Sequence, residues 1–165
     1  MGIYFKDYDQ TMLQEFEEML LCYFTDDIHS ELSPDIIRKK IVCPIVESWE
    51  RGTPSLCIAC EDQTSVGFCI YQIDSPESDW CKKEGWGFIR EFYIKKPFRG
   101  RGYGRKLAAF TEKMLFGRGV QNMYLTADDA IGFWQTCGYA DSGTVNENGT
   151  HTMTKEKGDR PVTHR

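Results

Sequence analysis

The stretch KKPFRGRGYGRKL, Lys95 to Leu107, gathers six cations and three glycines in thirteen residues without a single carboxylate. Residues of these types at this spacing meet anions. Lysine and arginine supply charge and donors, and glycine lets the backbone approach a ligand closely and take positive φ. Three partners are open on composition: a nucleic-acid backbone, a phosphate-bearing cofactor, or only the counter-ions of a solvated basic loop. A second candidate is the CxxC pair Cys57 and Cys60 in SLCIACED. That segment reads as a strand, on which positions three apart point to opposite faces, so redox or metal chemistry is not expected there, and no metal site is expected elsewhere. The third is a run of acids. Between Lys6 and Arg38 there is no Lys or Arg, while Asp7, Asp9, Glu15, Glu17, Glu18, Asp26, Asp27, Glu31 and Asp35 all fall inside it. Opposite charges concentrated in two places point to two partners of opposite sign, an anion near Lys95 and a cation near the early helices.

The elements that must position these residues follow from periodicity and punctuation. Residues 2–7 read as a strand, and Met12, Leu13, Phe16, Met19, Leu20, Tyr23 and Phe24 fall at helical spacing. Ser33-Pro34-Asp35 is a helix start, with the helix expected to reach Trp49, stop at Gly52 and kink or break at Pro44. SLCIACE and SVGFCIYQI form a hairpin across Asp62-Gln63-Thr64, and GWGFIREFYI gives a strand ending at Ile94. Pro97 ends that strand, and a helix from Gly104 closes at Gly117 and Gly119. NMYLT is a short strand. Asp128 or Asp129 is expected to cap a helix through AIGFWQTC, and Asn148-Gly149 to turn a last hairpin that reaches Lys155.

The order is strand, two helices, three strands, helix, strand, helix and terminal hairpin, a mixed α/β sheet with helices on its faces. At 165 residues, 41% hydrophobic and 13% aromatic, the chain has the composition of one globular domain, taken as residues 1–157 with a flexible tail over 158–165. A net charge of −5 argues against an open nucleic-acid surface. No apolar run approaches the roughly 20 residues of a membrane helix, and the start MGIYFKDYDQ lacks the regions of a signal peptide. The seven cysteines follow no disulfide-framework spacing. A cytoplasmic protein is expected, without membrane or nucleic-acid partners, and a homodimer is among the assemblies to be tested.

This frame sets the glycine turn between a strand and a helix N-terminus, where amides and dipole favour phosphate. Gly100, Gly102 and Gly104 stand at every second position, which fits neither GxGxxG nor a Walker loop. The pattern RxxGxG, Arg99 to Gly104, preceded by EFYIKKPF and followed by RKLAAFTEKML, resembles the acyl-coenzyme A signature of the GCN5-related N-acetyltransferase (GNAT) family. AIGFWQTCGY resembles that family's second mark, an Ala-x-x-aromatic-aromatic helix ending in Gly-aromatic.

The resemblance implies the acyl-CoA N-acyltransferase fold: a mostly antiparallel central sheet of six to seven strands with about four helices. It implies acetyl-coenzyme A as acyl donor and an amine acceptor. Gly100, Gly102, Tyr103 and Gly104 would cradle the pyrophosphate with Arg99, Arg101 and Arg105 adding charge. The main chain of Phe92, Tyr93 and Ile94 would pair with the pantetheine arm, and an amide there would donate to the thioester carbonyl. Glu91 is the candidate base for the attacking amine, with an ion pair to Arg90 or a neighbouring strand as its structural alternative. Half-burial between apolar neighbours would raise its pKa. Trp134 stands where many members have a tyrosine that protonates the leaving thiolate. It is expected either to pack on the pantetheine arm or to be a core aromatic, leaving Tyr124, Tyr139 or solvent to protonate the sulfur. Ala127 stands where an asparagine is common. The loop around Thr25 to Ser33 would wall the acceptor, so Asp26, Asp27 and Glu31 are candidate ligands for a cationic small molecule or peptide amine, and His29 a weaker candidate base. An acyl-coenzyme A sensor without transferase activity is the alternative.

Overall fold

In a computed structural model, residues 2–158 are described. Apart from Gly158, the expected tail lies outside them. Seven strands form one sheet in the order β1-β2-β3-β4-β5-β7-β6. They are β1 (Ile3–Asp7), β2 (Ser55–Glu61), β3 (Thr64–Ile73), β4 (Gly87–Ile94), β5 (Asn122–Ala127), β6 (Ala140–Val145) and β7 (His151–Glu156). Four helical segments accompany them: α1 (Leu13–Cys22), the composite of α2 (Pro34–Ile37) and α3 (Cys43–Glu50), α4 (Tyr103–Gly117) and α5 (Ile131–Thr136). The described residues divide into two compact units, the first made of residues up to 70 with 91–104 and the second of residues 71–90 with those from 105 onward.

In the first unit β1 runs antiparallel to β2, with Ile3 opposite Glu61 and Asp7 opposite Cys57. The apolar stripe read from the sequence becomes the buried face of α1: Phe16, Met19 and Leu20 sit in a cluster with Ile37, Val46, Ile58, Phe68 and Tyr93. Each such side chain removed from water contributes about 1.5–3 kcal/mol before entropy is counted. Ser33 caps α2, its Oγ accepting from Ile36 N at 3.3 Å, with Pro34 in the first turn. Pro44 does not break the helix. A π turn over Arg38–Val42 precedes it, and Pro44 then occupies the first turn of α3, a position that tolerates its missing N–H.

A second π turn, Tyr23–Asp27, extends α1, so the chain keeps turning beyond the last core residue of the stripe. Cys57 and Cys60 are buried free thiols on β2, and burial raises the Cys57 thiol well above its ordinary range. Among the described residues no group of three His, Cys, Asp or Glu could hold a metal ion. No helix among them is long and apolar enough to cross a membrane.

In the second unit β5 and β7 pair antiparallel from Asn122–Glu156 to Ala127–His151, and β6 pairs with β7. The parallel ladder of β4 and β5 joins Gly87 to Met123 and Phe88 to Tyr124, whereas β4 itself continues to Ile94. Neither Asp128 nor Asp129 caps α5. The N-cap is Ala130, which makes no side-chain bond, because both aspartates fall one and two residues too early. The last hairpin turns through residues 146–150, closed by Asn146 N to Thr150 O at 2.8 Å, with Gly149 at φ 83°.

Candidate functional site

The second half of β4 carries Glu91, Phe92, Tyr93 and Ile94. Alternation puts Tyr93 into the first unit's core, against Phe68 at 5.5 Å and Tyr23 at 5.8 Å between ring centroids. Glu91 is half-buried, and its Oε2 accepts a hydrogen bond from the Tyr23 hydroxyl. Burial, followed by the charge of and hydrogen bond to Glu91, raises the Tyr23 phenol far above its ordinary value. Burial likewise pushes Tyr93 up to about 12. A methyl group at Gly67 would stand 2.3 Å from the Tyr93 carbonyl oxygen, so β3 approaches β4 there as only glycine allows. Lys95 N, just past the strand, donates to Val66 O at 2.8 Å.

Beyond Ile94 a single 3₁₀ turn, Lys96–Phe98, leads into the glycine turn. Gly100 and Gly102 hold φ of 80° and 82°, and nothing lies within 4 Å of where a Cβ would stand on either. α4 starts at Tyr103, so its first-turn amides, which a helix cannot bond internally, open directly onto this turn.

The arginines of the turn are held from within the fold. Arg99 Nη2 bonds Asp27 Oδ1 at 3.0 Å and Oδ2 at 2.7 Å, its Nε donates to Ile94 O at 2.7 Å, and its guanidinium lies 5.7 Å from the Tyr93 ring. Arg101 pairs with Glu61 at 3.5 Å, and the Tyr103 hydroxyl donates to the same carboxylate at 2.8 Å. Arg105 is exposed on α4. The turn therefore offers a ligand backbone amides first and its arginines second.

The acids expected on the acceptor wall differ in their surroundings. Asp26 lines a cavity of about 290 Å³ with Glu18, Met19, Cys22, Tyr93 and Lys95. Asp27 is paired to Arg99, and Glu31 and His29 are exposed. No local pattern singles out Glu18 among the early acids, or Tyr23 among the aromatic residues. Tyr23 falls in the apolar stripe. Its one signal was the hydroxyl, since a buried tyrosine tip almost always finds a partner.

In the second unit Trp134 is buried between Phe133 and Tyr139, with ring centroids at 4.9 and 5.4 Å. Tyr124 is stacked on Phe88 and its hydroxyl donates to Asp74, while the Tyr139 hydroxyl lies 3.9 Å from Met123 Sδ. Ala127 is a buried residue at the end of β5. Arg90 reaches Gln72 Oε1 at 3.3 Å.

Comparison with known proteins finds likeness at the level of family, sequence and fold. The model of the acetyltransferase (GNAT) family matches residues 13–139. The chain is 31% identical over 96 residues to a probable spermine N(1)-acetyltransferase of Bacillus subtilis subsp. natto (strain BEST195), and 30% identical over 96 residues to the spermine/spermidine N(1)-acetyltransferase of Bacillus subtilis (strain 168). Each match covers 55% of this chain and 62% of the relative, so the chain spans less than two thirds of those proteins. The crystal structure of a paia N-acetyltransferase from Thermoplasma acidophilum, in complex with coenzyme A, superposes with a TM-score of 0.73 at 18% identity, covering 94% of this chain and 99% of that one. That likeness is one of fold.

Proposed function

This chain belongs to the acetyltransferase (GNAT) family, and from that premise we propose that it transfers the acetyl group of acetyl-coenzyme A to a primary amine of a cationic acceptor. The observation that carries the proposal is the order along one stretch of chain: a half-buried carboxylate at Glu91, a strand end at Ile94, and a glycine turn feeding a helix start. Each part answers one need of acyl transfer.

The glycine turn fits a polyphosphate. With open space above Gly100 and Gly102 and unbonded first-turn amides beside them, pyrophosphate oxygens could be met by N–H groups and the positive end of α4. Lys95, Lys96 and Arg105 add charge at its rim. Phe92 to Ile94 would hold the pantetheine arm through their main chain. β4 runs on past Phe88, the last residue it pairs with β5, which supports that role. Acetyl-coenzyme A, as substrate, brings the thioester whose carbonyl carbon is attacked.

Glu91 would accept the proton that the amine nitrogen loses as its bond to carbon forms and the carbon–sulfur bond breaks. The departing sulfur also needs a proton. Tyr124 and Tyr139 are engaged by Asp74 and Met123, and an indole at Trp134 is no acid, so solvent is the donor in this reading.

For the acceptor, Glu18 and Asp26, which line one cavity together with Lys95 and Lys96, support a cationic amine, and the names of the two Bacillus relatives support a polyamine. Residues 1–157 then act as one catalytic domain, within which the family match covers residues 13–139. The seven free cysteines favour a reducing, cytoplasmic setting.

The test is turnover. The protein is given acetyl-coenzyme A and a panel of spermine, spermidine, an aminoglycoside and a lysine peptide, and thiol release is followed. Acetylated product, with kcat reduced about 10²-fold or more in Glu91→Gln, is the expected result. Tight coenzyme A binding without turnover on any amine would favour the sensor reading instead.

A further inference from the structure

We propose that the turn Tyr23–Asp27 is a two-ended clip that positions Glu91, with Tyr23 gripping the carboxylate and the Asp27–Arg99 ion pair anchoring the far end of the turn. The proposal rests on the reading of Glu91 as base, but its physical core is a hydrogen bond that can be tested without it.

The geometry is confined to one compact unit. The turn is a π turn, which packs an extra residue into the ladder, and such insertions re-aim side chains. At its first residue, the Tyr23 ring is wedged among Phe24, Phe68 and Tyr93 at 5.5, 5.7 and 5.8 Å, which leaves the hydroxyl little choice of direction. That hydroxyl meets Glu91. At its last residue, Asp27 holds Arg99, which is itself tied to the Ile94 carbonyl three residues beyond Glu91. The strand bearing the carboxylate and the turn gripping it are thus linked twice, which fixes the direction in which Glu91 points.

A phenol that donates to a carboxylate stabilises its charged form, so Tyr23 lowers the pKa of Glu91 relative to the same site without the hydroxyl. Around Tyr23 the other titratable groups are Asp27 and Cys69, and around its neighbour Tyr93 they are Cys22, Asp26, Asp27 and Arg99. Removing the hydroxyl leaves every one of them in place, so a change in titration reports the lost bond. Burial also keeps the Tyr23 phenol protonated across the working pH range. It is a positioning residue and not the acid for the leaving thiolate.

The experiment follows the Glu91 carboxyl carbon by ¹³C NMR in the full chain labelled at glutamate, with Glu91→Gln identifying the signal. In Tyr23→Phe the midpoint is expected to move up by about one pH unit, and the acid limb of kcat to move with it while KM for acetyl-coenzyme A stays constant. Arg99→Lys, which loosens the far end of the turn without removing charge, should move the midpoint in the same direction by less, whereas Asp27→Asn also removes a nearby negative charge that by itself lowers the midpoint. A Glu91 midpoint unmoved in Tyr23→Phe overturns the clip. If Tyr23→Phe does not fold, Arg99→Lys decides, and an unmoved midpoint there overturns it. Should Glu91→Gln keep full kcat, the assignment of the base fails. The NMR midpoint still judges the hydrogen bond.

Discussion

Arg99 and Asp27, 72 positions apart in sequence, meet in an ion pair in which one guanidinium nitrogen reaches both carboxylate oxygens, at 3.0 and 2.7 Å. One residue was expected to meet a phosphate and the other a substrate amine, yet each satisfies the other. Their side chains are 41% and 25% exposed, so solvent screens the pair, and it contributes about 1 kcal/mol. Asp27→Asn is therefore expected to lower Tm by about 2–4 °C and to leave KM for every cationic acceptor within about twofold. Thermal unfolding and initial rates check this. A KM raised tenfold for polyamines alone would return Asp27 to the acceptor site.

Gly100 and Gly102, the positive-φ glycines of the turn before α4, separate backbone recognition from diffuse charge. A β-branched residue at Gly102, held at φ 82°, costs about 1–2 kcal/mol in strain, and its side chain would fill the open space over the turn. Gly102→Val should weaken coenzyme A binding at least tenfold by titration calorimetry, and Lys96→Ala no more than about threefold. Gly104 lies inside α4, so no left-handed strain is forced there, and the loss in Gly104→Ala should be smaller than in Gly102→Ala. Equal losses for Gly102→Val and Lys96→Ala would mean that the stretch acts only as a basic patch.

What the sequence made legible is what local rules govern. The order of strands and helices, the Ser33 cap and the glycine turn before α4 all follow from periodicity and punctuation within a few residues. Pairings between distant residues were not legible. Tyr23 reaches Glu91 over 68 positions and Arg101 reaches Glu61 over 40, and nothing in the local pattern of either partner encodes the other. The π turns were invisible for a related reason. Tyr23–Asp27 has no Gly or Pro to mark it, and what selects it is the placing of Tyr23 and Asp27 against β4 and Arg99. The acids of the early helices are concentrated in the sequence, but charge counting does not tell Asp26, at a cavity, from Asp27, in an ion pair.

The cavity beside Tyr93 gives a sharper acceptor test than the acidic run as a whole. Glu18 and Asp26 contribute carboxylates to its lining, and Lys95 and Lys96 contribute ammonium groups. A cationic acceptor bound there would lean on the two acids against the repulsion of the lysines. Glu18→Gln with Asp26→Asn should raise KM for spermidine about tenfold, a loss of about 1.4 kcal/mol, and leave KM for a monoamine nearly unchanged. Lys95→Gln should lower the spermidine KM. Steady-state kinetics at low and high salt check both, since the differences should narrow as salt screens exposed charge. Unchanged KM values in the double variant would exclude this cavity as the amine site.

The stability of the second unit turns on a buried pair. Lys155 Nζ reaches the two oxygens of Glu112 at 3.0 and 3.1 Å and donates to the Cys137 carbonyl, just past the end of α5, at 2.8 Å. Burial raises the Glu112 pKa, and Lys155 opposes that rise. Lys155→Met leaves a carboxylate buried without its cation, a loss of about 3–5 kcal/mol at neutral pH and a Tm lower by about 10 °C. The pH dependence has a definite sign. With its folded pKa above the unfolded value, Glu112 favours the fold while protonated, and that contribution is lost as pH rises through the folded pKa. Without Lys155 the folded pKa climbs further. The deficit of Lys155→Met should therefore be largest near pH 8 and shrink as pH falls toward 5, and adding Glu112→Leu should restore most of it at pH 8. Thermal unfolding of the three proteins at both pH values is the measurement. An equal deficit at pH 5 and pH 8 would mean that the lost packing and the Cys137 contact, and not the stranded charge, carry the effect.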